Sequence, residues 1–196
     1  CTATATRRVQ KDIIEQLDNS KLTIIRGSLA RPNLQLKVII AQSIEAKLCH
    51  IEGLVKSLSG SGIIYCGTRR DTELFTGWLK YNGVEAIFYN SGLDSETRKE
   101  IEEGLMSNRY KVVVSTNALG MGLDKSDVRF VIHTQVPQSP LHYYQEIGRA
   151  GRDDDPSKIF MYYNPTKDDE LPLSFINSGK PKHDEYILVL TAIKKE

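Results

Sequence analysis

Two arginines three residues apart, Arg149 and Arg152, stand in the string Tyr143-Tyr144-Gln145-Glu146-Ile147-Gly148-Arg149-Ala150-Gly151-Arg152. On a helical turn that spacing puts both guanidiniums on one side. A guanidinium stays charged and offers a planar fork of donors that matches phosphate oxygens. A bidentate or finger-like phosphate contact is therefore the chemistry this string suits. The small residues at 148, 150 and 151 let another surface approach the backbone. The same residues also suit a solvated basic helix end with a small-residue packing face.

About twenty residues upstream, an apolar run Val112-Val113-Val114 exits into Ser115-Thr116 and then Gly120-Met121-Gly122-Leu123-Asp124. Adjacent valines favour a strand buried on both faces. Hydroxyls and glycines at its exit suit a loop whose N–H groups meet an anionic ligand. Asp124 suits either ribose hydroxyls or the orientation of an arginine.

These residues need a scaffold, and the hydrophobic pattern supplies one. Strands are expected over 34–41, 63–66, 84–89, 112–115, 128–133 and 159–163. Between them run helices opened by the caps Ser43, Thr68 and Asp94 or Ser95, and a further helix opened by Ser139-Pro140. Thr6 caps a helix over about 7–18, with Val9, Ile13, Ile14 and Leu17 on one face. The helix after Thr68 carries Leu74, Phe75, Trp78 and Leu79, with Trp78 expected in the core and Gly83 at its exit. Alternating strands and helices imply an α/β domain, a parallel sheet covered on both faces. Ligands of such sheets bind at the carboxyl ends of the strands. Arg69, Gly92 and Ser115-Thr116 each follow a strand, so they are expected on one rim.

The strings at 143–152 and 111–124 resemble motifs VI and V of superfamily 2 helicases. Three more narrow the match: Gly62-Ile63-Ile64-Tyr65-Cys66-Gly67-Thr68-Arg69 is similar to motif IV, Tyr89-Asn90-Ser91-Gly92-Leu93 to the motif that follows it, and 124–133 to the strand after motif V. Together they resemble the RecQ family of ATP-dependent DNA helicases, over about residues 1–165. The resemblance implies a three-layer RecA-like domain with a central parallel sheet flanked by helices. It implies the end of a first RecA-like domain and a linker at 1–30, a second RecA-like helicase domain at 31–165, and a helical extension at 166–196. Cys1-Thr2-Ala3-Thr4-Ala5-Thr6 is similar to motif III, so the chain is expected to be a piece of a longer protein.

The resemblance also implies roles. Arg149 and Arg152 would reach the nucleotide, with Arg152 as the finger, and Gln145 would couple nucleotide to DNA. Thr116, Gly122 and Asp124 would touch nucleotide and DNA backbone. Thr68 and Arg69, with Asn90 and Ser91, would meet phosphates of the tracking strand, although Thr68 also has a complete task as a helix cap. ATP and Mg²⁺ would be held mainly by the missing first RecA-like domain, because no Gly-x-x-x-x-Gly-Lys-Ser/Thr loop occurs here; Lys125-Ser126 has Asp124 where that glycine belongs. The expected activity is 3′ to 5′ translocation on single-stranded DNA and unwinding of duplex DNA, in repair or recombination. An RNA helicase of the same superfamily, or a catalytically silent nucleic-acid-binding module, is the alternative. Such a protein would be cytoplasmic in a prokaryote and nuclear in a eukaryote.

Departures from the family pattern are Asn90 for histidine, Ser91 for alanine, and Asp154 for the glycine after Arg152-Asp153. That last change makes an acidic run at 153–155, which would weaken DNA approach or pair with the arginines. Residues 166–196 lack the family's zinc-ligating cysteines; Asp168-Asp169-Glu170 reads as a solvated acidic helix start, and Pro181 to Glu196 as a helix with Tyr186, Ile187, Leu190 and Ile193 on its apolar face.

Composition agrees with a globular domain: 196 residues, 40% hydrophobic, 26% charged, formal net charge +1. Without a global field, any nucleic-acid contact must come from local charge placement. Cys1, Cys49 and Cys66 form no C-x-x-C pair, and His133 and His142 have no ligand-spaced partners, so no metal site is expected. Tyr143, Tyr144, Tyr162 and Tyr163 suit packing better than base stacking. No apolar run is long enough for membrane insertion.

Overall fold

The computed structural model describes residues 7–16, 25, 30–119 and 124–168. Thr6, Leu17, the string at 1–6, Gly122 and the whole of 169–196 lie outside the described residues. The chain divides into two compact units, Cys1–Pro32 and Asn33–Glu196. In the first unit, helix α1 (Arg7–Gln16) leaves Val9, Ile13 and Ile14 at 42%, 38% and 37% exposure.

The second unit runs β1 (Leu34–Ile40), α2 (Ile44–Ser57), β2 (Ser61–Tyr65), α3 (Arg69–Tyr81), β3 (Ala86–Tyr89), α4 (Ser95–Met106), β4 (Val112–Ser115), β5 (Val128–His133), α5 (Pro140–Ile147) and β6 (Ser157–Tyr163). Its six strands form one sheet in the order β1-β6-β5-β2-β4-β3, every pair parallel. Successive side chains of a strand point to opposite faces. Ile64, Val112, Val114 and Ile132 accordingly pack with Ile51, Val55, Phe75 and Leu79 of α2 and α3. Ile63, Val113, Val131 and Ile159 pack on the other face with Ile101, Leu105 and Ile147 of α4 and α5. The result is three layers, with the expected parallel sheet in the middle. Each large aliphatic residue fully buried here contributes about 1.5–3 kcal/mol.

Helix starts follow their caps. The side chains of Ser43, Thr68, Asp94 and Ser139 each accept an N–H from the first turn, satisfying donors that have no partner within the helix.

Two expectations change. In α3 the buried residues are Thr72, Phe75, Thr76 and Leu79, an i, i+3, i+4, i+7 stripe. Leu74 is 43% exposed, and Trp78 sits half-buried at the stripe's margin, its ring 6.3 Å from that of Tyr81. Threonine is tolerated inside because its hydroxyl can bond the preceding turn: Thr72 Oγ1 donates to Arg69 O at 2.6 Å. Asp168 is buried rather than solvated. Its carboxylate accepts from Lys47 Nζ at 3.2 Å and from Asn164 N at 2.7 Å, and Lys47 is itself only 6% exposed.

Candidate functional site

The exits of β2, β3, β4 and β5 open into a cleft of about 360 Å³, with Thr68, Arg69, Ser91, Thr116, Gln135 and Glu146 among its lining residues. Arg69, the first residue of α3, reaches across to the loop after β3, where Nη2 donates to Ser91 Oγ at 2.7 Å. A β-carbon at Gly92 would lie 3.3 Å from Arg69 Nη1, so glycine leaves room for the guanidinium. Asn90 is 3% exposed and shapes this loop. Its Oδ1 accepts from Gly92 N at 2.9 Å and its Nδ2 donates to Thr72 Oγ1 at 3.2 Å. With both ends of the amide used inside, Ser91 is the polar group that the loop turns to the cleft.

Thr68 is similarly occupied: its hydroxyl accepts from Asp71 N at 3.1 Å and donates to Asp71 Oδ2 at 2.7 Å. Arg69, Ser91 and Thr116 thus carry the accessible chemistry of the rim: one permanent cation and two hydroxyls, suited to backbone phosphates and blind to base identity.

The segment after β5 adds Gln135 and Gln138, which sequence reasoning did not single out, and His142, which it had weighed only as a metal ligand; all three line the cleft. Gln135 lies against Gly67, where a β-carbon would come within 2.1 Å of its Nε2. The available signal was positional, since β5 is another strand whose exit leads into a motif.

The arginines lie elsewhere. Helix α5 ends at Gly148, and the following turn joins the start of β5: Gly151 N donates to Val128 O and Arg152 N to Ser126 O, both at 3.0 Å. Since β5 runs from Val128 toward the cleft at His133, the backbone of this turn lies roughly 20 Å from the rim at about 3.3 Å per residue, while the guanidiniums of Arg149 and Arg152 reach back to act on the Tyr65 hydroxyl. The site residues therefore fall in two places, a rim and an arginine turn, with α5 running between them. Arg152 Nη1 donates to Asp124 Oδ1 at 2.5 Å, so Asp124 does orient an arginine. The Asp124 side chain is 89% exposed, leaving this pair open to exchange. Gln145 is exposed on α5.

Arg149 is half-buried, and its Nε is buried without a hydrogen-bond partner among the described residues. Its guanidinium acts on the phenol of Tyr65: burial pushes the Tyr65 hydroxyl up, Arg149 opposes that shift, and Glu146 adds to it. Half-buried Arg149 and the one-third-exposed guanidinium of Arg152 put two permanent positive charges at this turn, a setting suited to an anionic group.

The acidic run faces a different arginine. Asp153 and Asp155 both pair with Arg129, and the Arg129 hydrogen bond holds the Asp153 carboxyl below its usual range. Asp154 takes φ +66°, the left-handed conformation that glycine adopts freely and aspartate tolerates better than most residues. The turn therefore keeps its shape without the family's glycine. Among the described residues, no group of three or more His, Cys, Asp or Glu side chains is placed to hold a metal ion, and no helix is long and apolar enough to cross a membrane. Tyr162 is fully buried and Tyr143 packs on the α4–α5 face of the sheet.

Residues 45–154 match the model of the helicase conserved C-terminal domain. The chain is 37% identical over 164 residues to the ATP-dependent DNA helicase RecQ of Pasteurella multocida, covering 84% of this chain and 26% of that protein. It is 36% identical to the probable ATP-dependent DNA helicase RecS of Bacillus subtilis, covering 99% and 39%, and 40% identical to mouse ATP-dependent DNA helicase Q1, covering 83% and 26%. The chain thus spans between about a quarter and two fifths of these relatives. In fold it resembles Saccharomyces cerevisiae Dbp5 bound to RNA and ADP BeF3, with TM-score 0.72 at 21% identity over 99% of this chain and 53% of that one. The C-terminal domain of Dbp5 alone gives TM-score 0.61 at 20% identity, over 84% and 98%.

Proposed function

The chain belongs to the helicase conserved C-terminal domain family, in its RecQ-type branch, and from that premise we propose that it is the second RecA-like domain of an ATP-dependent DNA helicase that moves 3′ to 5′ on single-stranded DNA and unwinds duplex. The observation that carries this reading is the separation of two phosphate-directed surfaces on one rigid sheet. A rim carries Arg69, Ser91 and Thr116, groups suited to a nucleic-acid backbone, and a turn carries Arg149 and Arg152, groups suited to a nucleotide. DNA is preferred to RNA because the relatives at 36–40% identity are named as DNA helicases, whereas the RNA-bound likeness is one of fold.

On the rim, Arg69 supplies charge and the hydroxyls of Ser91 and Thr116 supply hydrogen bonds, a combination that tracks the strand irrespective of sequence. At the turn, Arg152 and Arg149 stabilise negative charge that develops on phosphate oxygens, and Asp124 keeps the Arg152 fork oriented until an anion competes for it. Gln145, exposed on the helix between rim and turn, relates the two. Magnesium-bound ATP, held mainly by the first RecA-like domain, supplies the phosphoryl group whose transfer drives movement.

The test is a double dissociation in the full-length protein. Arg69→Ala should weaken single-strand binding about equally across sequences and lower its salt dependence by roughly one counterion. Arg152→Ala should leave DNA affinity in place and cut single-turnover ATP hydrolysis by about 10³ or more. Arg152→Lys should rescue poorly, since the fork is lost. If Arg152→Ala hydrolyses normally, or Arg69→Ala keeps both affinity and salt slope, the assignment of the corresponding surface is wrong.

A further inference from the structure

Between the rim and the arginine turn lies a buried cluster that the roles above do not use. His133, the last residue of β5, is 1% exposed and faces Glu146 on α5, with Nε2 2.8 Å from Glu146 Oε2. A carboxylate accepts, so Nε2 is the donor of this bond, and Nδ1 is left buried without a partner among the described residues. The imidazole is packed between two rings. Tyr65 stacks on it at 5.4 Å between centroids and 20° between planes, and Tyr143 leans on it at 5.1 Å.

Each member touches one of the two surfaces. Tyr65, His133 and Glu146 line the cleft with Arg69, Ser91 and Thr116. Glu146 O accepts from Arg149 N at 3.3 Å, one helical turn along, so the Glu146 backbone is part of the arginine turn. The Tyr65 hydroxyl feels Arg149 and donates to Leu119 O at 3.3 Å, directly before the Gly-x-Gly loop. Coupling between distant sites needs a contiguous set of packed and hydrogen-bonded groups, and here the set is closed from cleft to arginine.

We propose that the Glu146–His133 pair, seated on Tyr65, is the linkage that transmits strand occupancy of the cleft to Arg149. Glu146 acts as a positioning residue. A phosphodiester entering the cleft meets the Glu146 carboxylate as a like charge, and the carboxylate is kept in place by His133 Nε2–H. The two repel while α5 is tied to the rim, so the load passes along α5 to its last turn. This inference rests on the helicase reading above.

The experiment measures ATP turnover by the full-length protein against increasing oligodeoxythymidine, beside fluorescence anisotropy of the same labelled strand and a thermal melt. In Glu146→Ala, the maximal DNA-stimulated rate should fall by about tenfold, a typical coupling magnitude, while the half-stimulating DNA concentration moves less than the rate does. Glu146→Gln keeps an acceptor for the imidazole proton but lacks the charge that the phosphodiester repels, so it should lose most of the stimulation while keeping its fold. Tyr65→Phe, which removes only the hydroxyl, should lose part of it. Undiminished maximal stimulation in Glu146→Ala overturns the linkage, as does a change confined to DNA affinity, which would make Glu146 a plain rim contact. Should Glu146→Ala melt early, the folded Glu146→Gln and Tyr65→Phe proteins decide: stimulation untouched by Tyr65→Phe overturns the linkage, and stimulation reduced by it supports the linkage. An unmodified protein whose ATP turnover ignores DNA refutes the helicase reading itself, a distinct outcome.

Discussion

Replacing Asp168 with alanine isolates a cost that can be worked from the geometry. Lys47 and Asp168 have side chains only 8% and 9% exposed, and their charged atoms are 3.2 Å apart. Alanine at 168 removes the counter-charge and leaves the Lys47 ammonium buried, with Thr134 O at 2.7 Å as its remaining described acceptor. It also strips Asn164 N of an acceptor at 2.7 Å. Breaking a buried pair from one side costs about 3–5 kcal/mol, because the abandoned charge stays desolvated. At about 2–4 °C per kcal/mol for a chain of this size, the melting temperature should fall by about 6–20 °C. Glu103→Ala provides the control, since the Lys99–Glu103 pair has side chains 78% and 68% exposed; its effect should stay within about 0.5 kcal/mol. Urea or thermal unfolding of the three proteins at neutral pH, followed by circular dichroism, gives the comparison. If Asp168→Ala is no worse than Glu103→Ala, the lysine finds water or another anion, and the pair anchors neither α2 nor the β5 exit.

Two further outcomes are expected. Lys125, 2% exposed by its side chain, donates to Asp127 Oδ1 at 2.6 Å and holds the Asp127 carboxyl below its ordinary range. A depressed carboxyl contributes stability above the unfolded pKa and loses it as pH falls through the folded one, so Asp127→Asn should flatten the acid side of the stability profile and leave its alkaline side alone, as pH-dependent melting would report. Thr68→Ala removes the cap of α3 and should cost about 1 kcal/mol of stability; strand affinity measured on the folded variant should change less than in Arg69→Ala, and an equal loss would give the Thr68 hydroxyl a phosphate contact of its own.

Local features were legible in the chain and distant ones were not. The valine run marked β4 at 112–115, and the alternating apolar stretch marked β5 at 128–133, because both strands are buried on two faces and bounded by polar exits. Ser43, Thr68 and Ser139 marked helix starts because a cap is a short-range hydrogen bond. The placing of Arg69, Ser91 and Thr116 on one rim also followed, since parallel strands send all their exits the same way. The strand order depends on pairings between remote segments and left no local trace. The same holds for Lys47 with Asp168, 121 positions apart, and for Arg129 with the acidic run. Trp78 misled because hydrophobicity suggested a stripe that included the indole, whereas Thr72, whose hydroxyl bonds the preceding turn, and Thr76 complete the buried face of α3.

The position of β1 has a consequence for how the chain is made. This strand comes first in the sheet-forming unit, yet its ladder partner is β6, the last, and Asn33 just before it bonds Gly151 O across 118 positions. During synthesis at roughly 5–20 residues per second, β1 must wait on the order of ten seconds for the strand that will pair with it. Throughout that interval it offers an unpaired backbone edge studded with Leu36, Val38 and Ile40, which remain 58%, 58% and 68% exposed even in the finished fold. Such an edge is a template for the wrong neighbour. The hazard for this domain on a crowded ribosome is therefore intermolecular strand pairing, and slowing translation between β5 and β6 should raise aggregation more than slowing it anywhere after β6.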